Sequence, residues 1–158
     1  MQNKVFLSTG GFKTFKTKKI INMCKKKDIF NLEFSGGPYE KNVLKNLIIL
    51  KKKNPRIKLL LHNYFPPPKK PFVLNLASFD KKIEKDTIKH YLRSIKMCNK
   101  LDIPIYSFHA GFRIDPKPKE LGKKFVKKNL QNRNRTLEKF IQNLKKIYLY
   151  AKKYNVQI

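Results

Sequence analysis

Apolar residues fall along this chain in two alternating rhythms, and the switch between them marks out its elements. Short runs rich in β-branched and aromatic residues predict strands at Lys4–Ser8, Ile29–Phe34, Ile57–Leu61 and Ile103–Phe108. Between them, apolar positions recur at the helical period. Ile20, Ile21 and Cys24 define a short helix that Thr17 is placed to cap, and Val43, Leu44, Leu47 and Ile48 define a second, which Asn54-Pro55 terminates by removing a donor. Ile88, Tyr91, Leu92, Ile95, Cys98 and Leu101 share one face of a third helix, capped by Asp86 or Thr87. Leu137, Phe140, Ile141, Leu144, Ile147, Tyr148 and Ala151 form the stripe of the longest helix, and Val156-Gln157-Ile158 reads as the start of a fifth strand. Two long connections interrupt the rhythm, residues 63–85 and about 109–133, the second with a short helix expected near Leu121–Val126. Connections of this length inside a compact domain usually carry function.

Strand-helix repetition implies parallel strands, because a parallel pair needs a helix-sized crossover. Thr9-Gly10-Gly11-Phe12 after the first strand lacks the Gly-x-Gly-x-x-Gly spacing of a dinucleotide fold. The other parallel architecture is the (β/α)8 TIM barrel, which takes about 200 to 250 residues. The 158 residues hold about four βα units plus the start of a fifth strand, so the expectation is one α/β domain over 1–158 that is the N-terminal half of a barrel, with weak or oligomer-dependent folding.

Composition changes the picture less than its numbers suggest. There are 38 Lys+Arg against 10 Asp+Glu, a formal charge of +28, with 41% of residues hydrophobic. Such charge ordinarily points to nucleic acid. However, only Arg56, Arg93, Arg113, Arg133 and Arg135 offer the guanidinium fork that phosphates and base edges favour. The remaining basic residues are lysines accompanied by abundant Asn, Ile, Phe and Tyr, a composition that A/T-rich codons produce without any partner. No run of residues is long and apolar enough for a membrane span or a signal-peptide core, so the reading is a soluble cytoplasmic protein. Cys24 and Cys98 show no metal-ligand spacing and are expected to be reduced structural thiols.

In parallel α/β folds chemistry gathers where strands end. The third strand ends in His62-Asn63 and the fourth in Ser107-Phe108-His109-Ala110-Gly111, which puts two of the three histidines at equivalent positions on adjacent strands. Strands about 4.8 Å apart let both imidazoles reach one ion or substrate. Two histidines are fewer ligands than a catalytic zinc or manganese needs. Glu33, at the end of the second strand, is a candidate ligand or acceptor for a substrate hydroxyl. His90 lies within a helix and reads as a surface or packing residue.

Four stretches together resemble the N-terminal half of a xylose-isomerase-like barrel. They are Phe6-Leu7-Ser8-Thr9-Gly10-Gly11-Phe12, Leu32-Glu33-Phe34-Ser35-Gly36-Gly37, the run from Leu61-His62-Asn63-Tyr64 to Leu74-Asn75-Leu76-Ala77-Ser78, and Ser107-Phe108-His109-Ala110-Gly111-Phe112. The superfamily contains metal-dependent sugar phosphate isomerases and epimerases and metal-dependent apurinic endonucleases. In the endonuclease branch the histidines at these strand ends bind zinc, which makes His62 and His109 the metal ligands here. In the isomerase branch the metal, Zn, Mn or Mg, is held by acids and a histidine from the fifth to eighth strands, so the catalytic residues are expected beyond Ile158. The Tyr64-Phe65-Pro66-Pro67-Pro68 insertion departs from the endonuclease pattern and favours a sugar. The resemblance thus implies a sugar or sugar phosphate isomerase/epimerase, incomplete in this chain. Its substrate hydroxyls would meet Glu33, Asn63 and Ser107, and its phosphate would meet Arg113 and Lys117. An abasic-site endonuclease and a non-enzymatic half barrel are the alternatives.

Overall fold

A computed structural model describes residues 5–12, 16–124 and 130–158. In chain order it contains β1 (Leu7–Ser8), a 3-10 turn (Thr9–Phe12), α1 (Thr17–Lys25), β2 (Asn31–Phe34), α2 (Val43–Lys53), β3 (Lys58–His62), α3 (Lys81–Lys100), β4 (Tyr106–Ser107), a 3-10 turn (Pro118–Glu120) and α4 (Arg133–Lys153). The four strands are parallel and lie in chain order, as successive crossovers in a barrel require. A single parallel bridge, Ile105 to Gln157, extends the sheet at the expected fifth strand: Gln157 N–H donates to Pro104 O at 2.8 Å and Tyr106 N–H to Gln157 O at 2.9 Å. No helix among the described residues is long and apolar enough to cross a membrane.

Register separates the two faces of the sheet. Leu32 pairs with Leu59, and Phe34 pairs with Leu61, which pairs with Tyr106; all five are buried in one core with Ile21, Leu47, Tyr91, Ile95, Cys98 and Ile147 from the helices. The opposite parity carries Ser8, Glu33 and Leu60 in one row and His62 and Ser107 in the next. Because side chains alternate along a strand, the polar candidates share the face that the helices do not cover. Cys24 and Cys98 are buried free thiols whose pKa is pushed up by burial, that of Cys98 to about 12, consistent with a structural role.

Several boundaries differ from the sequence expectation. Thr17 does not cap α1 through its own side chain. It is the first helical residue, and its N–H and Oγ1–H both donate to Glu40 Oε2, at 3.1 and 2.8 Å, so a distant carboxylate caps the helix. The third helix starts at Lys81, well before Asp86. Asp80 Oδ1 accepts from Lys82 N–H at 2.8 Å and Ile83 N–H at 3.0 Å, while Thr87 Oγ1 accepts from Asn75 N–H at 3.1 Å. Its polar first turn, Lys81-Lys82-Ile83-Glu84, hid the period. In place of a helix near Leu121–Val126 there is the turn Pro118–Glu120; Leu121 to Lys124 is not helical, and Phe125 and Val126 lie outside the described residues. The apolar stripe of α4 divides in two: Ile147 and Ala151 are buried, whereas Leu137, Ile141 and Tyr148 are 53%, 40% and 55% exposed, since α3 packs against only one side of the helix.

Candidate metal-binding strand ends

The site grows from β3 and β4, paired through Leu61 with Tyr106 and His62 with Ser107. That register brings the half-buried His62 ring beside Ser107, with Nδ1 at 2.8 Å from Ser107 Oγ. It also brings His62 Nε2 to 3.3 Å from His109 Nε2, the rings meeting edge to face with centroids 5.1 Å apart. Either the two Nε2 atoms share one proton, one donating and one accepting, or both lone pairs face a common cation. Burial lowers the pKa of His62 from its ordinary value of 6.5; the negative charge of Glu33 works against that shift and His109 adds to it. The neutral imidazole so favoured is the metal-ligating form.

Asn63 follows His62 with φ of +41°, a backbone region that Asn tolerates better than most residues. Its N–H donates to Ser107 O at 2.6 Å. Its carbonyl oxygen accepts from Tyr106 OH at 2.5 Å and lies 3.1 Å from His90 Nε2. Its side-chain Oδ1 accepts from Tyr91 OH at 3.2 Å and from His109 N–H at 3.4 Å. Only Nδ2 stays available for a substrate hydroxyl among the described partners. His90 is not a surface residue. It is buried, stacks on Tyr64 at 5.7 Å, and burial pulls its pKa down to about 4.

Arg113 and Lys117 lie elsewhere on this edge of the sheet, in a cleft of about 420 Å³ between the loops that follow β3 and β4, together with Lys123 and Lys124. Arg113 uses Nε and Nη2 to donate to Gln131 O at 2.8 and 2.6 Å, and Lys117 N–H donates to Glu120 Oε2 at 2.6 Å. The cleft floor is held by Asn75, whose Nδ2 donates to Phe112 O, Ile114 O and Asp115 Oδ1 and whose Oδ1 accepts from Ala77 and Phe112 N–H. Ser78 Oγ–H donates to Asp115 Oδ2 at 2.9 Å. Gly111, with φ of +129°, passes so close that a Cβ there would fall on Asn75 Oδ1. The Asn-Leu-Ala-Ser stretch is thus the clamp between the two long loops.

Sequence reasoning identified the histidines but missed this clamp, the role of Asp115 and the tyrosine hydroxyls behind Asn63. Tyr91 read as part of an apolar helix face, and Tyr106 lay unremarked within the fourth strand. Asp115, one of few acids in a lysine-rich loop, was the available signal.

A divalent ion can be tested against this donor set. Two nitrogens each about 2.1 Å from one tetrahedral ion lie about 3.4 Å apart, close to the 3.3 Å between the two Nε2 atoms. Ser107 supplies the outer hydrogen bond that orients a ligating imidazole. The fit is to half a site, because no group of three or more His, Cys, Asp or Glu side chains converges among the described residues.

Comparison with known proteins agrees with the barrel. Among solved structures, a D-tagatose 3-epimerase-like protein shares 18% identity with a TM-score of 0.65, covering 95% of this chain and 49% of its own. D-Psicose 3-epimerase with D-tagatose from Clostridium cellulolyticum shares 19% identity at a TM-score of 0.60, covering 91% and 46%. The TTHB071 protein from Thermus thermophilus, soaked with ZnCl2, shares 17% at a TM-score of 0.61, covering 99% and 54%. The chain therefore spans about half the length of these structures. No curated protein matches it. The family model described as "Xylose isomerase-like TIM barrel" matches residues 21–158, and the chain belongs to that family.

Proposed function

We propose that this chain carries part of the site of a metal-dependent sugar or sugar phosphate isomerase/epimerase, with the catalytic acids contributed by barrel units that it does not contain. The observation that carries this reading is the 3.3 Å approach of His62 Nε2 and His109 Nε2, although the register pairs His62 with Ser107 and leaves His109 two residues beyond it rather than at the equivalent position. The two rings would hold a divalent ion, which supplies Lewis-acid polarisation of the substrate carbonyl. Ser107 orients the ring of His62. Glu33, in the adjacent row on the same face, accepts a hydrogen bond from a sugar hydroxyl, and Asn63 Nδ2 donates one. Lys117 and the uncommitted Nη1 of Arg113 face a substrate phosphate in the cleft between the loops. The D-tagatose and D-psicose named for two structural neighbours support a ketose as the sugar.

Titrating the full chain with Co²⁺ and following its absorption tests this. Wild type is expected to bind with histidine nitrogen ligation, and His62→Ala and His109→Ala to weaken binding by at least about 100-fold, the upper end of what even indirect partners cost. Equal affinity in all three proteins overturns the assignment. Tight, steeply salt-dependent binding to abasic duplex DNA would instead support the endonuclease reading.

A further inference from the structure

We infer that Asn63 is a positioning residue for the histidine pair, coupling the backbone just beyond His62 to the backbone of His109 and to the aromatic layer beneath. The inference rests on the reading of those histidines as ligands, but its geometry stands apart from any metal. Every backbone polar atom of Asn63 is engaged across elements: its N–H with Ser107 O on β4, its carbonyl with Tyr106 OH from β4 and His90 Nε2 from α3. Its Oδ1 then reaches the other strand end, accepting from His109 N–H at 3.4 Å, and is itself fixed by Tyr91 OH at 3.2 Å. The same hydroxyl lies 3.4 Å from His109 O, so Tyr91 touches both strand ends.

The hydroxyl is held in turn by packing. Tyr91 is fully buried, with its ring 4.7 Å from Phe108, 6.0 Å from Tyr106 and 5.9 Å from His90. His109 itself is exposed and follows the last paired residue of β4, so no ladder hydrogen bond fixes its height above the sheet. Asn63 supplies that missing constraint. Together with Tyr91 OH on His109 O, it sets the height of His109 and so the 3.3 Å between the two Nε2 atoms.

Two readouts on the full chain test this. In metal-free protein, the two-bond nitrogen-nitrogen coupling between His62 Nε2 and His109 Nε2 reports a fixed hydrogen-bonded separation. It is expected in wild type, lost in Asn63→Gly, which keeps the positive φ but removes Oδ1, and retained in Asn63→Asp, which keeps the acceptor. Tyr91→Phe, which keeps the packing, is expected to weaken it. In parallel, Co²⁺ affinity is expected to fall about 10- to 100-fold in Asn63→Gly and Tyr91→Phe, the cost of losing a partner that orients ligands. A wild-type coupling and affinity in both variants overturn the inference, as does the lack of coupling in wild type. Should wild type bind no Co²⁺ while the coupling still depends on Asn63, the metal reading falls and the positioning role stands.

Discussion

The carboxyl ends of β1 and β2 and those of β3 and β4 lie on one edge of one sheet, yet they are built differently. The first pair turns on Thr9-Gly10-Gly11 and Ser35-Gly36-Gly37, with Ser8 Oγ 3.2 Å from Ser35 Oγ in an exposed contact and Thr9 Oγ1 accepting from Ser35 N–H at 3.3 Å. The second pair turns on His62-Asn63 and His109-Ala110-Gly111, over a buried layer in which the Tyr91 ring contacts both His90 and Tyr106. The difference separates room from precision. At the ends of β1 and β2 a Cβ added to Gly11, Gly36 or Gly37 would meet nothing within 4 Å, whereas the rings under β3 and β4 convert strand pairing into a defined distance between two nitrogen atoms. A hydroxyl on an exposed loop can move freely, but a hydroxyl on a close-packed ring cannot.

The contrast is broken most strongly from beneath the histidines. Tyr91→Ala removes a fully buried ring and its hydrogen bonds, and should cost about 3–5 kcal/mol of stability in denaturant titrations. A loss below about 1 kcal/mol would mean that the aromatic layer does not hold this edge.

Acid attacks the same layer. His90 has a folded-state pKa near 4 against 6.5 for a free histidine, so the unfolded chain binds the proton more readily between those values. Stability is therefore full above about pH 6.5 and declines as the pH falls towards 4, by up to about 3 kcal/mol for that shift. His90→Gln should flatten this part of the stability-pH curve, with denaturant midpoints measured at each pH. An unchanged slope would place the acid sensitivity elsewhere.

The smallest effect belongs to the other end of the sheet. Ser35→Ala removes an exposed hydroxyl contact and should change stability by no more than about 0.5 kcal/mol, leaving Co²⁺ affinity as it was. A larger loss would show that β1 and β2 also carry a defined geometry, and the contrast would dissolve.

How far these features were legible in the residues depends on the range over which each is specified. The alternation of strand and helix, the break at Asn54-Pro55 and the placement of His62 at the last residue of β3 and His109 just past β4 are local, set by period and punctuation. The capping of α1 by Glu40 and the division of the α4 stripe depend on what lies across the fold, whereas the early start of α3 is a local cap at Asp80 hidden by a polar first turn; sequence reading misplaced or missed all three. Asn63 shows both sides of this. Its position after a strand marked it as a candidate for substrate, but no sequence pattern distinguishes an asparagine that faces solvent from one whose Oδ1 already accepts from Tyr91 and His109.

By itself, then, the sequence determined the parallel α/β half barrel and the two histidines at its strand ends, because the side-chain period of 2 and the helical period of 3.6 are written residue by residue. Only the tertiary structure decided the 3.3 Å between their nitrogens, the Asn75 clamp between the loops and the link from Tyr91 through Asn63 to His109. Each of these joins residues from elements far apart in the chain, and a hydrogen bond requires its atoms to be placed to within a few tenths of an ångström. Packing sets such distances, and the order of residues does not spell them out.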